Sequence, residues 1–223
     1  RILCMVSKPQ FDPQTVTENW DSLKNHETSP LLNRSTQGLY TPGSVFKIVT
    51  AVSALRNMPD VYDFSYDCVS EETFENKVIH CFNNKAHGTQ NIIQGFANSC
   101  NCFFSEIGTK IGAEALRKTA DEMLFNSGVE FELNSSVPSV PIDGTSSESE
   151  LVETSIGQGK TTVTPLFMAC VAQAIANNGI MLKPYIVDHI ENYRGITVST
   201  TIPEQYAQIL TSDECSQLKE MMI

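Results

Sequence analysis

The chain has 223 residues, 41% hydrophobic and 18% charged, a length that buries a core without metal or disulfide staples and a composition that excludes disorder. Fifteen Lys and Arg against 26 Asp and Glu leave a net charge of -11, the wrong sign for a phosphate-backbone binder, so no nucleic-acid partner is expected. No apolar run approaches the roughly 18 residues of a membrane helix. The chain opens on Arg1-Ile2-Leu3-Cys4 without an initiator Met or leader pattern, which predicts a piece of a longer protein whose targeting segment lies upstream.

In chain order, residues 2–7 read as a short buried strand stopped by Lys8-Pro9. Residues 9–43 carry four prolines and many polar side chains, a long irregular segment of the kind that is usually functional. Thr41-Pro42-Gly43 is a turn signal. A helix is predicted from about Ser44 to Arg56, with Val45, Ile48, Val49, Val52 and Leu55 on one apolar stripe. Residues 57–88 read as polar and irregular. Helical patterns follow at 89–97, 102–110 and 113–125, interrupted by Asn98-Ser99-Cys100-Asn101, whose residue types prefer turns and caps. Residues 126–150 read as loop.

Thr164-Pro165 opens a well-marked helix that Gly179 closes. Residues 185–190 and 196–200 alternate around Arg194-Gly195 and predict a hairpin. Thr211-Ser212-Asp213-Glu214 begins a terminal helix with acidic residues at its positive end.

Seven cysteines are too few and too scattered for a secreted disulfide scaffold. Cys4, Cys170 and Cys215 sit in apolar patterns and read as core. Cys100-x-Cys102 is too short for the usual zinc spacing. Cys68 and Cys81, with His80 and His87 nearby, are open to a disulfide, a metal or free thiols, with free thiols preferred.

Ser44 and Lys47 lie three apart at a helix start, so hydroxyl and amine share a face. The first turn supplies unbonded N–H groups and the positive dipole end, where charge developing on a reacting carbonyl is stabilised. A Lys in a dry pocket loses basicity and can take the Ser proton. Alone, the pair reads as an ordinary cap and a solvated lysine, because Ser-x-x-Lys is short and its residues common.

The surroundings are specific. Asn33-Arg34, Gly38-Leu39-Tyr40 and Pro42-Gly43-Ser44-Val45-Phe46-Lys47 resemble the active-site stretch of penicillin-binding protein transpeptidases, with their Ser-x-x-Lys, Ser-x-Asn and Lys-Thr-Gly set. Ser99-Cys100-Asn101 matches the second motif in order and placement. Ile156-Gly157-Gln158-Gly159, Val163-Thr164-Pro165, Ala176-Asn177-Asn178-Gly179 and Lys183-Pro184 resemble further hallmarks. Lys160-Thr161-Thr162 is rejected as the third motif, because the family has Gly where a side chain would block the substrate from the strand.

The resemblance implies an α+β β-lactamase/transpeptidase-like fold, with residues 1–223 as a single truncated domain, mostly helical because sheet strands are missing at both ends. It implies a class-B-like D,D-transpeptidase. Ser44 attacks a D-alanyl-D-alanine stem peptide of peptidoglycan, Lys47 is the base, Ser99 relays protons, Asn101 holds the substrate, and β-lactams acylate the same serine. No cofactor or metal is implied, and the site faces the outside of the cytoplasmic membrane on an anchor absent from this stretch. A serine β-lactamase, a β-lactam sensor, a D,D-carboxypeptidase and a non-catalytic binding fragment are the alternatives. Because the family's Lys-Thr-Gly follows the terminal helix, residues 1–223 alone are expected not to label measurably with penicillin.

Overall fold

The helix that follows Thr41-Pro42-Gly43 lies at the centre of the helical part of the chain. In the computed structural model, which describes residues 1–222, a short helix α1 (Trp20–Lys24) comes first. The central helix then starts as a 3-10 turn, Gly43–Phe46, and continues as α2, Lys47–Asn57. The 3-10 turn winds more tightly than an α-helix and rotates the first residues away from a regular wheel. Phe46 is therefore buried, whereas Val45, expected on the apolar stripe, is exposed. Val49 and Val52 are buried as the stripe predicts, but so are Lys47, Thr50, Ala51, Ser53 and Ala54. A buried polar residue needs a partner, and Thr50 Oγ1 finds one in the Ser155 carbonyl at 2.7 Å.

The segment expected to be irregular is paired instead. It holds β1 (Tyr66–Cys68), β2 (Glu71–Phe74), β3 (Lys77–His80) and β4 (Gly88–Gln90), with β1 antiparallel to β4 and β2 to β3. Thr89 thus belongs to a strand, and the helix expected from residue 89 begins as α3, Ile92–Ala97, behind an Asn91–Gln94 capping box. Next come α4 (Asn101–Ile111) and α5 (Ala113–Glu122), and then α6 (Glu148–Ser155), which replaces the end of the expected loop. The last elements are α7 (Pro165–Ala176), β5 (Ile180–Leu182), β6 (His189–Glu191), β7 (Thr197–Thr200), β8 (Gln205–Gln208) and α8 (Ser212–Met221). The predicted hairpin is β6–β7, and β5 pairs with β8. Among the described residues every sheet has two strands.

Residues 2–7 form no ladder. Ile2 N–H donates to the Tyr185 carbonyl at 2.9 Å, and Leu3 and Val6 are exposed. Ile2 packs against the core and Met5 is half-buried, but with one backbone bond in place of a paired neighbour the other side stays open, and Cys4 is exposed rather than core. Cys170 and Cys215 are buried, as expected.

The buried apolar side chains make one connected cluster. α2 lies against α4, α5 and α8, and α4 against α6. Phe46 meets Phe125 edge-on at 5.5 Å, and Phe125 meets Phe167 at 4.8 Å, so the turn that starts α2 is fixed from below by aromatic packing.

Candidate active site

Ser44 is the second residue of the 3-10 turn and is exposed. Its N–H belongs to the first-turn groups that have no acceptor within the helix. The turn is seated from outside: Gly43 N–H donates to the Gly157 carbonyl at 2.8 Å. Gly157 has φ +71, and a Cβ there would lie 2.1 Å from the Gly43 carbonyl oxygen. That position therefore requires glycine twice over, for its backbone angle and for the close approach. Upstream, Tyr40 and Val163 exchange backbone bonds of 2.9 and 2.8 Å, which hold the chain entering the turn.

Lys47, one turn on, is almost fully buried. Its Nζ lies 2.6 Å from the Ser99 carbonyl, 2.7 Å from Asn101 Oδ1, 3.1 Å from Ser99 Oγ and 3.4 Å from Ser44 Oγ. Burial pulls its pKa down to about 8, against the opposing pull of the Cys100, Cys81 and Cys102 thiols. The distances order the two charge states. A charged amine has three protons for its three shortest contacts. A neutral one keeps two N–H bonds, to the Ser99 carbonyl and Asn101 Oδ1, neither of which can donate. Its lone pair is then left for the two hydroxyls, Ser44 and Ser99.

Ser99 and Asn101 come to Lys47 from the break between α3 and α4. Ser99 is exposed and has φ +50, a left-handed conformation that costs a non-glycine residue about 1–3 kcal/mol and is held by its surroundings. Cys100 then caps α4, its Sγ accepting the Phe103 N–H at 3.4 Å. Asn101 is clamped at both ends, because its Nδ2 donates to the His80 carbonyl at 2.8 Å while Oδ1 faces Lys47. One amide N–H remains to be offered. The four residues picked from the sequence are thus gathered around one buried amine.

Lys160 stands apart from this group. It is exposed and pairs with Glu150 at 2.7 Å, while Thr162 bridges to Ser139. Sequence reasoning missed the wall of the lysine pocket. The Phe104 ring centroid is 5.7 Å from Lys47 Nζ, and the buried thiols of Cys81, Cys100 and Cys102 surround the same corner. Cys100 stands inside the Ser99-x-Asn101 motif, so its alternation with those two residues was the available signal.

A sequence model of the penicillin binding protein transpeptidase domain matches residues 1–223. The chain is 30% identical over 256 aligned positions to the peptidoglycan D,D-transpeptidase PbpA of Mycolicibacterium smegmatis, covering all of this chain and 48% of that protein. It is 28% identical to the stage V sporulation protein D of Bacillus subtilis, over 98% of this chain and 33% of the relative. The chain therefore spans half or less of the length of these relatives. Among solved structures, the imipenem acyl-enzyme complex of penicillin-binding protein A from M. tuberculosis superposes with a TM-score of 0.87 at 27% identity, covering all of this chain and 54% of that one. The D,D-transpeptidase domain of a peptidoglycan glycosyltransferase from Eggerthella lenta gives 0.88 at 27% identity, over 99% of this chain and 57% of that domain.

Proposed function

Because this chain belongs to the penicillin binding protein transpeptidase family, we propose that it carries the nucleophile and base of a peptidoglycan D,D-transpeptidase, and that residues 1–223 are one unit of that domain. The observation that supports this most is the single buried amine, Lys47, within bonding reach of Ser99 and Asn101 and 3.4 Å from Ser44.

That geometry supports acyl transfer through Ser44. Neutral Lys47 takes the Ser44 proton as Oγ attacks the carbonyl of the penultimate D-Ala of a stem peptide. The oxyanion forms beside the unbonded Ser44 N–H at the positive end of α2. The proton passes from Lys47 through Ser99 Oγ to the leaving D-Ala nitrogen, along contacts of 3.1 Å and one more to substrate. The remaining Asn101 N–H is free for a substrate carbonyl. An amine of a neighbouring stem then attacks the acyl-enzyme and closes the cross-link. No step in this sequence calls for a metal or an organic cofactor.

β-Lactams would enter as acylating substrates of Ser44, as imipenem does in the M. tuberculosis relative. The site would work on the outer side of the cytoplasmic membrane, where peptidoglycan is cross-linked; among the described residues no helix is long and apolar enough to cross a membrane.

The test supplies the intact protein with a D-alanyl-D-alanine pentapeptide and an amine acceptor. Release of D-Ala with formation of the cross-linked product supports the proposal. Release with water as the sole acceptor would make the protein a carboxypeptidase instead.

A further inference from the structure

Behind the Ser99-Cys100-Asn101 turn, four elements bring sulfur and imidazole to one place. The β1–β4 register sets Cys68 opposite Gly88, and His87 N–H donates to the Cys68 carbonyl at 3.1 Å, so these two side chains arrive together. Cys81 follows the last residue of β3, and Cys100 caps α4. The Sγ of Cys81 lies 3.6 Å from those of Cys68, Cys100 and Cys102. Cys68 Sγ is also 3.6 Å from His87 Nδ1. The ligand atoms of Cys68, Cys81, His87 and Cys100 all lie within 4.8 Å of one another. The three cysteines are buried and the histidine is half-buried.

These spacings match a metal better than a disulfide. Tetrahedral zinc, with bonds of about 2.3 Å to sulfur and about 2.0–2.1 Å to nitrogen, sets its donors roughly 3.5–3.8 Å apart. A disulfide brings two sulfurs to about 2.05 Å and leaves the others as buried thiols. We propose that Cys68, Cys81, Cys100 and His87 form a closed, structural Zn²⁺ site of the Cys₃His type. Each cysteine binds as a thiolate, so three protons leave for every zinc taken up. Cys102 stays outside the ligand set: its thiol donates to the Ile79 carbonyl at 3.6 Å and lies beside Cys81. The Phe103 N–H supports the Cys100 sulfur, the kind of surrounding bond that orients a ligand.

The site has a reason to be there. Cys100 stands between the two residues that touch Lys47, and Ser99 is held at positive φ. A metal on the Cys100 sulfur pins that turn from behind, and joins it to β1, β3 and the His87 loop. Four protein ligands leave zinc no open position, so it positions the turn and takes no part in acyl transfer. Metal binding itself is independent of that reaction.

The test uses the intact protein, purified with a phosphine reductant and no chelator. Elemental analysis should give one zinc per chain. Exchange with Co²⁺ should produce thiolate-to-cobalt charge-transfer absorption and the strong visible bands of a tetrahedral ion. Cys81→Ser and Cys100→Ser should lose the metal, while Cys102→Ser keeps one per chain. Should Cys81→Ser fail to fold, the cobalt spectrum of the unsubstituted protein and the Cys102→Ser stoichiometry still decide. Reduced protein that takes up neither metal would overturn the proposal. So would equal metal loss in Cys102→Ser, or an intact mass short of two hydrogens traced to a Cys81–Cys100 disulfide.

Discussion

Lys47 and Asn101 lie on different helices, and a 2.7 Å bond joins the lysine Nζ to the amide oxygen. The same amide holds the His80 carbonyl with its nitrogen, so one side chain ties the base to the end of β3. Replacing the amide by a carboxylate keeps the shape, adds a negative charge and removes the donor to the His80 carbonyl. Asn101→Asp would set an anion against the Lys47 ammonium and raise its pKa by about 1–3 units. The pH at which the β-lactam acylation rate reaches half its plateau is expected to move up by that amount. An unshifted midpoint would separate Asn101 from the base.

In the unsubstituted protein the corresponding midpoint follows from Lys47 itself. Burial, opposed by the thiols of Cys100, Cys81 and Cys102, holds its pKa at about 8. The base acts in its neutral form, so acylation should rise with pH through about 8 and level off above it. A rate already flat from about pH 6 to about pH 9 would mean that another group takes the proton.

Gly157→Ala tests the seat of the nucleophile's turn. The added Cβ would meet the Gly43 carbonyl at 2.1 Å with φ at +71. The strained backbone alone costs about 1–3 kcal/mol, and relief of the clash must displace Gly43, next to Ser44. Lower stability together with a loss of acylation is expected. Gly195→Ala is the control, because φ is +72 there but a Cβ meets nothing within 4 Å. It should therefore show the backbone cost without the clash, about 1–3 kcal/mol, and its acylation should be unchanged.

Away from the site, Arg56 on α2 grips Glu214 on α8 through bonds of 2.6 and 3.1 Å. Burial works against ionisation of Glu214, yet the Arg56 guanidinium and the Thr211 N–H hold its pKa below the ordinary 4.5. A depressed carboxylate pKa gives stability that is present above the unfolded value and lost as pH falls through the folded one. Glu214→Gln should therefore cost about 1–2 kcal/mol at neutral pH, with the gap closing below roughly pH 4. Denaturant melts at pH 7 and pH 3.5 would measure both ends.

Local signals carried much of the fold into the sequence. α7 was legible because Thr164 caps it and Pro165 sits at its first position, and α8 because Thr211 and Glu214 form a capping box. The Ser44–Lys47 pair was legible from its spacing and surroundings. The strands β1 and β4 were not, since they meet across some twenty residues and each has only three; β2 and β3 form a local hairpin, but their polar, charged sequence hides the alternation. Ser147 and Glu150 cap α6 as a box, but they stand in a serine-rich run that reads as loop. Val45 was misplaced because a 3-10 turn does not follow the 3.6-residue wheel. Cys68, Cys81 and His87 were grouped from the sequence, but Cys100 was not, because it joins them only through the long-range packing of α4 against β1 and β3.

Mass spectrometry of the intact protein after incubation with benzylpenicillin bears most directly on the assignment of Ser44 as nucleophile and Lys47 as base. One penicilloyl group per chain is expected, located by proteolysis to the peptide containing Ser44. Ser44→Ala should give none, and Lys47→Met should slow its appearance by at least about 10². An adduct that persists in Ser44→Ala, or that maps to another residue, would contradict the assignment.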